Sequence, residues 1–423
     1  MLVRFSIRNF RSFRDEQTLT LEAGRQTTAR RGRSFATGLK TAPMLLKGAV
    51  IYGANSGGKS NLVRAMSFLQ LFVANSARSG QIGDVLDVDA YRLDPALLDE
   101  PSQFEIIFIV DRTTYQYGFA VDQQKIHHEW LYETAFEGRL RHIFSRDIRS
   151  DGNYDWYVNS RVRGERKLWQ ESTRPNALFL SVAVQLNSVE FQEPFEWLSG
   201  KFRVLLGQEQ ISQSVTSSIC HAAEGKTSVL DILRSVDPGV CDVITTEEDF
   251  RESDLPEDLP NEVRTEVIKN MKGRKLYQAE IARRSINGDL VSFDMEDEST
   301  GTNILYNLAG PWLETLKRGY TLVIDELDSG LHPLALKALV SMFFDSSKNT
   351  SNAQLIITCH EATLLRENML RSDQVWFIDK TPEAGSRLYP LSEFKPKQNE
   401  SFLRGYLGGR YGGIPVTRSY HDA

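Results

Sequence analysis

The sequence predicts an α/β fold in which a largely parallel sheet with helices on its faces carries an antiparallel β-subdomain and a helical insertion. Three observations lead there. An apolar strand at residues 45–52 runs through a glycine-rich turn into a helical pattern from Lys59 to about Val73. Strand-like and helix-like segments alternate from 290 to 378, the rhythm of parallel strands joined by crossover helices. Between 104 and 144, strand-like runs are separated by turn residues, which reads most economically as an antiparallel sheet.

Taken in order, Val3, Phe5 and Ile7 share one face, followed by Phe10 and Phe13 and then Leu19 and Leu21, the pattern of a β-hairpin. Residues 25–40 are polar, with Arg25, Arg30, Arg31 and Arg33 close together, and read as a solvated loop. In the helix after the glycine turn, Leu62, Met66, Leu69 and Phe72 lie on one side. The runs FEIIFIV, TYQYGFAV, IHHEWLYET and HIFS make the antiparallel sheet. From 188 to 284 the pattern is mostly helical, interrupted by an acidic, proline-containing stretch at 247–262 that reads as a loop. Then come strand 290–295, helix 302–308, strand 320–324, helix 333–344, strand 355–358, a helix near 361–370 and strand 375–378. The expected division is an N-terminal lobe at 1–187, a helical insertion at 188–286 and a C-terminal lobe at 287–423.

Composition narrows the function classes. With 50 Lys+Arg against 56 Asp+Glu the net charge is −6, which argues against a globally basic nucleic-acid binder. Local patches at Arg25–Arg33 and at Arg139, Arg141, Arg146, Arg149, Arg161, Arg163 and Arg166 leave contact with DNA open. No apolar run approaches the roughly 20 residues of a membrane span, and the first residues lack the apolar stretch of a secretory leader. The expected address is cytoplasmic, with no membrane partner. Neither the three cysteines nor His127-His128, whose side chains point to opposite faces of a strand, has the spacing of a zinc site.

The chemistry concentrates in three places. GANSGGKS, Gly53 to Ser60, fits G-x-x-x-x-G-K-[ST] in the strand-to-helix context that motif requires. Gly53, Asn55, Ser56, Gly57, Gly58, Lys59, Ser60 and Asn61 are the candidate nucleotide-binding residues: backbone N–H groups and the helix N-terminus face phosphate oxygens, Lys59 reaches the β and γ phosphates, and the Ser60 hydroxyl ligates Mg²⁺. In TLVIDELDSGLHP a buried strand ends in Asp325, a candidate for holding Mg²⁺, and Glu326, a candidate for orienting and deprotonating water. In LIITCH another apolar strand ends in His360, placed to contact the γ-phosphate or its attacking water.

With these motifs in this order the chain resembles the P-loop, ABC-type ATPase heads of the RecF, SMC and OLD families: Walker A is GANSGGKS, Walker B TLVIDE, the D-loop LDSGLHP and the H-loop TCH. The opening VRFSIRNFRSF is similar to the first hairpin of those heads. With ALFLSVAVQLN and the ending YLGGRYGGIP, the chain looks like the AAA-type ATP-binding proteins of prokaryotic abortive-infection and restriction-linked operons. The resemblance implies ATP and Mg²⁺ as cofactors, hydrolysis of ATP, and a homodimer or higher homo-oligomer built through ATP-sandwich contacts. It implies a signature segment at DESTGT, where Ser299 and Gly301 approach nucleotide held by a second protomer; against the family's Leu-Ser-Gly-Gly-Gln this segment keeps one glycine and no glutamine. It also implies a sensor or regulatory subunit of an anti-phage defence or DNA-maintenance system, controlling a separate nuclease or toxin. The alternative is an ATP-regulated nuclease or DNA-binding repair ATPase of the OLD or RecF type, although about sixty residues after His360 are few for a further domain. A transporter ATPase fits the opening hairpin and the insertion less well, and transfer of phosphate to a small molecule does not predict Asp325-Glu326 followed by His360.

Overall fold

The computed structural model describes residues 1–24, 32–135, 138–207, 211–252, 255, 261–271, 273, 275–366, 369–381, 385–397 and 400–414. Arg25, Arg30, Arg31, Pro415 and part of the acidic stretch at 247–262 lie outside them. The chain divides into two compact units, one of Met1–Gly207, Leu316–Leu327 and Val340–Ala423, the other of Gln208–Thr315 and Asp328–Leu339.

The first unit holds two large sheets. Among the described residues one has seven antiparallel strands in the order Tyr154–Val158, Arg141–Ile148, Ile126–Thr134, Thr113–Val121, Ser102–Val110, Leu2–Arg8 and Gln17–Thr20. Alternating burial along most of Ser102–Val110 marks a strand with one face in the core, where Phe104, Phe108 and Phe119 are fully buried. The second sheet runs Phe202–Leu205, Thr321–Ile324, Gln354–Thr358, Gly48–Gly53, Val375–Thr381 and Gly385–Pro390. Its first five strands are parallel and the last closes an antiparallel hairpin. Strands covered on both faces need unbroken apolar runs, and TLVI, QLIIT and GAVIYG are buried at every position. Gln354, a polar side chain among them, is satisfied completely: its amide donates to Leu2 O (3.0 Å) and Leu46 O (3.1 Å), and its carbonyl accepts from Leu2 N–H (2.6 Å).

The expected α/β class with an antiparallel β-subdomain is therefore the observed one. Within the basic patch at 139–167, three arginines are paired with carboxylates. Arg146 is fully buried against Glu129 (2.9 Å), Arg149 pairs with Asp155 (2.6 Å), and Arg141 pairs with Glu133. These arginines alternate with carboxylates on neighbouring strands, so cross-strand pairing consumes charge that the sequence shows only as a run. Glu129 also accepts from Phe179 N–H (2.8 Å), Leu180 N–H (3.1 Å) and the Tyr117 hydroxyl (3.1 Å), which ties ALFLSVAVQLN to the sheet.

In the second unit, helices Gln213–Cys220 and Ala223–Arg234 precede a three-stranded antiparallel sheet, Val240–Asp249, Lys275–Arg284 and Leu290–Asp294. The expectation of a mostly helical insertion is corrected here. Val240–Asp249 and Leu290–Asp294 are edge strands, mostly exposed, and tolerate the charged residues that erase a period-two signal. Leu276, Ala279 and Ala282 recur every third residue and mimic a helix. Residues 188–207, placed with the insertion by sequence, fall in the first unit, where Phe202–Leu205 pairs with Thr321–Ile324. The helix expected near 361–370 is a 3₁₀ turn, Ala362–Leu365, which stops because Arg366 is extended (ψ 160°). Among the described residues no helix is long and apolar enough to cross a membrane.

Candidate functional site

A cleft of about 860 Å³ lies over the C-terminal ends of the parallel strands, the position where such sheets place their ligands. Its floor is the turn between strand Gly48–Gly53 and helix Lys59–Asn75. Gly58 has φ +119°, and a Cβ there would stand 2.3 Å from Ser386 Oγ and 2.9 Å from Ser12 Oγ. At Gly53 a Cβ would meet Ile378 O at 2.5 Å. Only glycine allows the backbone this path. Two serines brace the turn from outside: Ser386 Oγ donates to Gly57 O (2.6 Å), and Ser12 Oγ accepts from Asn61 Nδ2 (2.8 Å). The Lys59 ammonium is buried inside the loop and donates to Gly53 O (2.7 Å) and Ala54 O (3.2 Å).

One wall comes from two adjacent strands. Thr321–Ile324 ends in Asp325, which is buried, and Glu326, which projects into the cleft with φ +49°. Strand Gln354–Thr358 supplies the brace: the Thr358 hydroxyl donates to Asp325 Oδ1 (2.5 Å) and accepts the Glu326 N–H (2.7 Å). One side chain thus fixes both acids. Two residues on, His360 Nε2 stands 3.5 Å from Glu326 Oε1, with both side chains about half exposed.

Asn55, Ser56, Gly57, Gly58, Lys59, Ser60, Asn61, Glu326 and His360 therefore line one cleft, as the motif order leads one to expect. Gly53 contributes its carbonyl to Lys59. Asp325 sits just beneath the wall rather than on it. Ser299 and Gly301 belong to the second unit, where Ser299 Oγ accepts the Thr302 N–H (3.2 Å), the geometry of a helix N-cap at the start of Thr300–Arg318. Arg283, on the strand Lys275–Arg284, holds the preceding Glu298 (2.5 Å) and Asp237 (2.7 Å). The hydrogen bond from Arg283 keeps the Asp237 carboxyl below its usual range.

Outside the glycine motif, three residues that line the cleft are not marked by the sequence: Ser12, Arg64 and Lys380. Ser12 lies in the turn of the opening hairpin. Lys380 follows an apolar strand much as His360 does, a signal that was present but equally shared by many surface lysines. Arg64 is one basic residue on an amphipathic helix, with nothing local to distinguish it.

The donor set suits a nucleoside triphosphate. The glycine path leaves backbone amides and a helix N-terminus facing open volume beside a buried ammonium, an arrangement that takes phosphate oxygens. Ser60 and Asp325 are hard oxygen donors of the kind Mg²⁺ accepts alongside phosphate oxygens.

The model of the family described as "AAA domain, putative AbiEii toxin, Type IV TA system" matches residues 49–171 and 242–366, more than half of the chain. No curated protein matches the sequence. Among solved structures, a chain of the Smc head bound to the C-winged helix domain of ScpA is 14% identical with a TM-score of 0.43, the match covering 92% of this chain and 97% of that one. A chain of the recombination mediator protein RecF with ATP is 14% identical with a TM-score of 0.34, covering 92% and 97%.

Proposed function

The chain belongs to the family of AAA domains described as putative AbiEii toxins of type IV TA systems, and on that premise we propose that it binds ATP in the cleft described above and hydrolyses it. The observation that carries this reading is the convergence of the glycine turn, the Lys59 ammonium and the Glu326–His360 pair on one cleft. Backbone amides of Gly57 to Ser60 hold phosphate oxygens, and Lys59 exchanges its carbonyl partners for the β and γ phosphates. Glu326 accepts the proton of the attacking water, and His360 orients that water or the terminal phosphate. Ser60 and Asp325 would hold Mg²⁺, which neutralises phosphate charge when bound. Thr358 keeps Glu326 aimed.

In the same reading, Ser299 and Gly301 of one protomer complete the site of another, so ATP joins protomers and hydrolysis releases them. The chain then serves as a cytoplasmic regulatory subunit in phage defence or DNA maintenance, restraining a separate nuclease or toxin until triggered. Support for this part is the family description and the motif resemblance.

The test is ATP hydrolysis with light scattering on wild type and Glu326→Gln. Loss of a general base lowers turnover by about 10²- to 10⁴-fold, and the variant should retain ATP and remain assembled. Hydrolysis by Glu326→Gln at the wild-type rate would refute the assignment of Glu326.

A further inference from the structure

The cleft has two unlike ends. Strand Gly48–Gly53, which feeds the glycine turn, is flanked on one side by Gln354–Thr358 and on the other by Val375–Thr381. The first neighbour leads to His360, beside Glu326. The second ends near Lys380, which also lines the cleft.

Strand register fixes which way Lys380 points. Lys380 lies directly opposite Ser386 in the antiparallel hairpin of Val375–Thr381 with Gly385–Pro390. Directly opposed residues of an antiparallel pair share a face of the sheet. The Ser386 hydroxyl is bonded to Gly57 O, so that face is the one toward the phosphate turn. The neighbouring Asp379 points to the other face, where it accepts from Gly413 N–H (2.7 Å) and from the Tyr389 hydroxyl. It is therefore turned away from the cleft face that carries Lys380. Arg64, on the first turns of helix Lys59–Asn75, is a further cation of the lining in addition to Lys59 and Lys380.

We propose that Lys380 is a further nucleotide-binding residue, a cation that holds the α-phosphate end of a nucleoside triphosphate whose terminal phosphate faces Glu326 and His360. This rests on the reading of the cleft as a triphosphate site. The glycine turn grips the middle of the polyphosphate, and the flanking strands sort its ends: the acid and imidazole lie where water attacks, and the lysine lies where only binding is needed. Lys380 then strengthens ATP and ADP alike, because both carry the α-phosphate.

The experiment is calorimetric titration of full-length wild type, Lys380→Gln, Lys380→Arg and Lys59→Ala with ATP and with ADP. Loss of one charge-assisted contact predicts that Lys380→Gln weakens both nucleotides by the same factor, about tenfold. Lys380→Arg, which keeps the charge, should stay within about threefold of wild type. Weakening of ATP with ADP unaffected would place the lysine on the terminal phosphate and overturn the assignment, and unchanged affinity for both would overturn the inference entirely. If Lys59→Ala binds like wild type while Lys380→Gln does not, the reading of the glycine turn fails and Lys380 stands. A wild-type protein that binds neither nucleotide refutes both.

Discussion

Replacing Gly58 by alanine tests whether the cleft is organised as argued. The added Cβ would stand 2.3 Å from Ser386 Oγ and 2.9 Å from Ser12 Oγ, in a residue whose φ is +119°. A non-glycine residue in such a backbone region costs about 1–3 kcal/mol, and forcing a methyl into filled space costs about 1–3 kcal/mol more. The sum, about 2–6 kcal/mol, opposes the native turn, and the turn will shift before the surrounding sheet does. At the lower bound, ATP affinity falls by about 30-fold, since each 1.4 kcal/mol is a factor of ten. Calorimetric titration with ATP measures this directly, and a melting curve shows whether the fold survives. Adding Ser386→Gly removes the closest contact but also the hydrogen bond to Gly57 O, so recovery should be partial. Binding of ATP by Gly58→Ala within about threefold of wild type would refute the claim that the glycine path creates the phosphate site.

Three further perturbations probe the supports. Thr358→Val removes the hydroxyl shared by Asp325 and the Glu326 N–H, and should lower the rate of ATP hydrolysis about tenfold through two lost hydrogen bonds while ATP still binds; an unchanged rate would show that Glu326 is aimed by other contacts. Glu129→Gln leaves Arg146 as an uncompensated buried charge and should destabilise the fold by about 3–5 kcal/mol in urea unfolding; a midpoint unchanged from wild type would contradict the placement of that pair. In the second unit, Asp237 is held below its usual range by its hydrogen bond from Arg283. Its contribution is therefore complete above the unfolded value of about 4 and is lost as pH falls through the lower folded value. Acid titration below about pH 4 should accordingly weaken wild type more than Arg283→Ala, and parallel acid unfolding curves for the two proteins would remove Asp237 from the account.

The legible parts of this protein are those whose chemistry lies in consecutive residues. The glycine turn, the Asp325-Glu326 pair and His360 each follow a short, mostly apolar and fully buried run, and such runs sit side by side in a parallel sheet whose strand ends face one cleft. Sequence by itself thereby determined the class of fold and which motif residues meet over the sheet. It also shows why the turn needs glycine where a strand gives way to a helix. Tertiary structure decided what no local pattern contains. Ser12 and Lys380 line the cleft, and Ser386 and Thr358 brace its turn and its acids, all from distant points of the chain, and each takes its meaning from a partner that the fold brings beside it. Arg141, Arg146 and Arg149 read as free charge until cross-strand carboxylates pair with them and Arg146 disappears into the core. The inserted sheet stayed hidden for the converse reason. Its exposed edge strands are held by backbone pairing, which needs no alternation of apolar side chains, whereas buried parallel strands cannot form without their apolar runs.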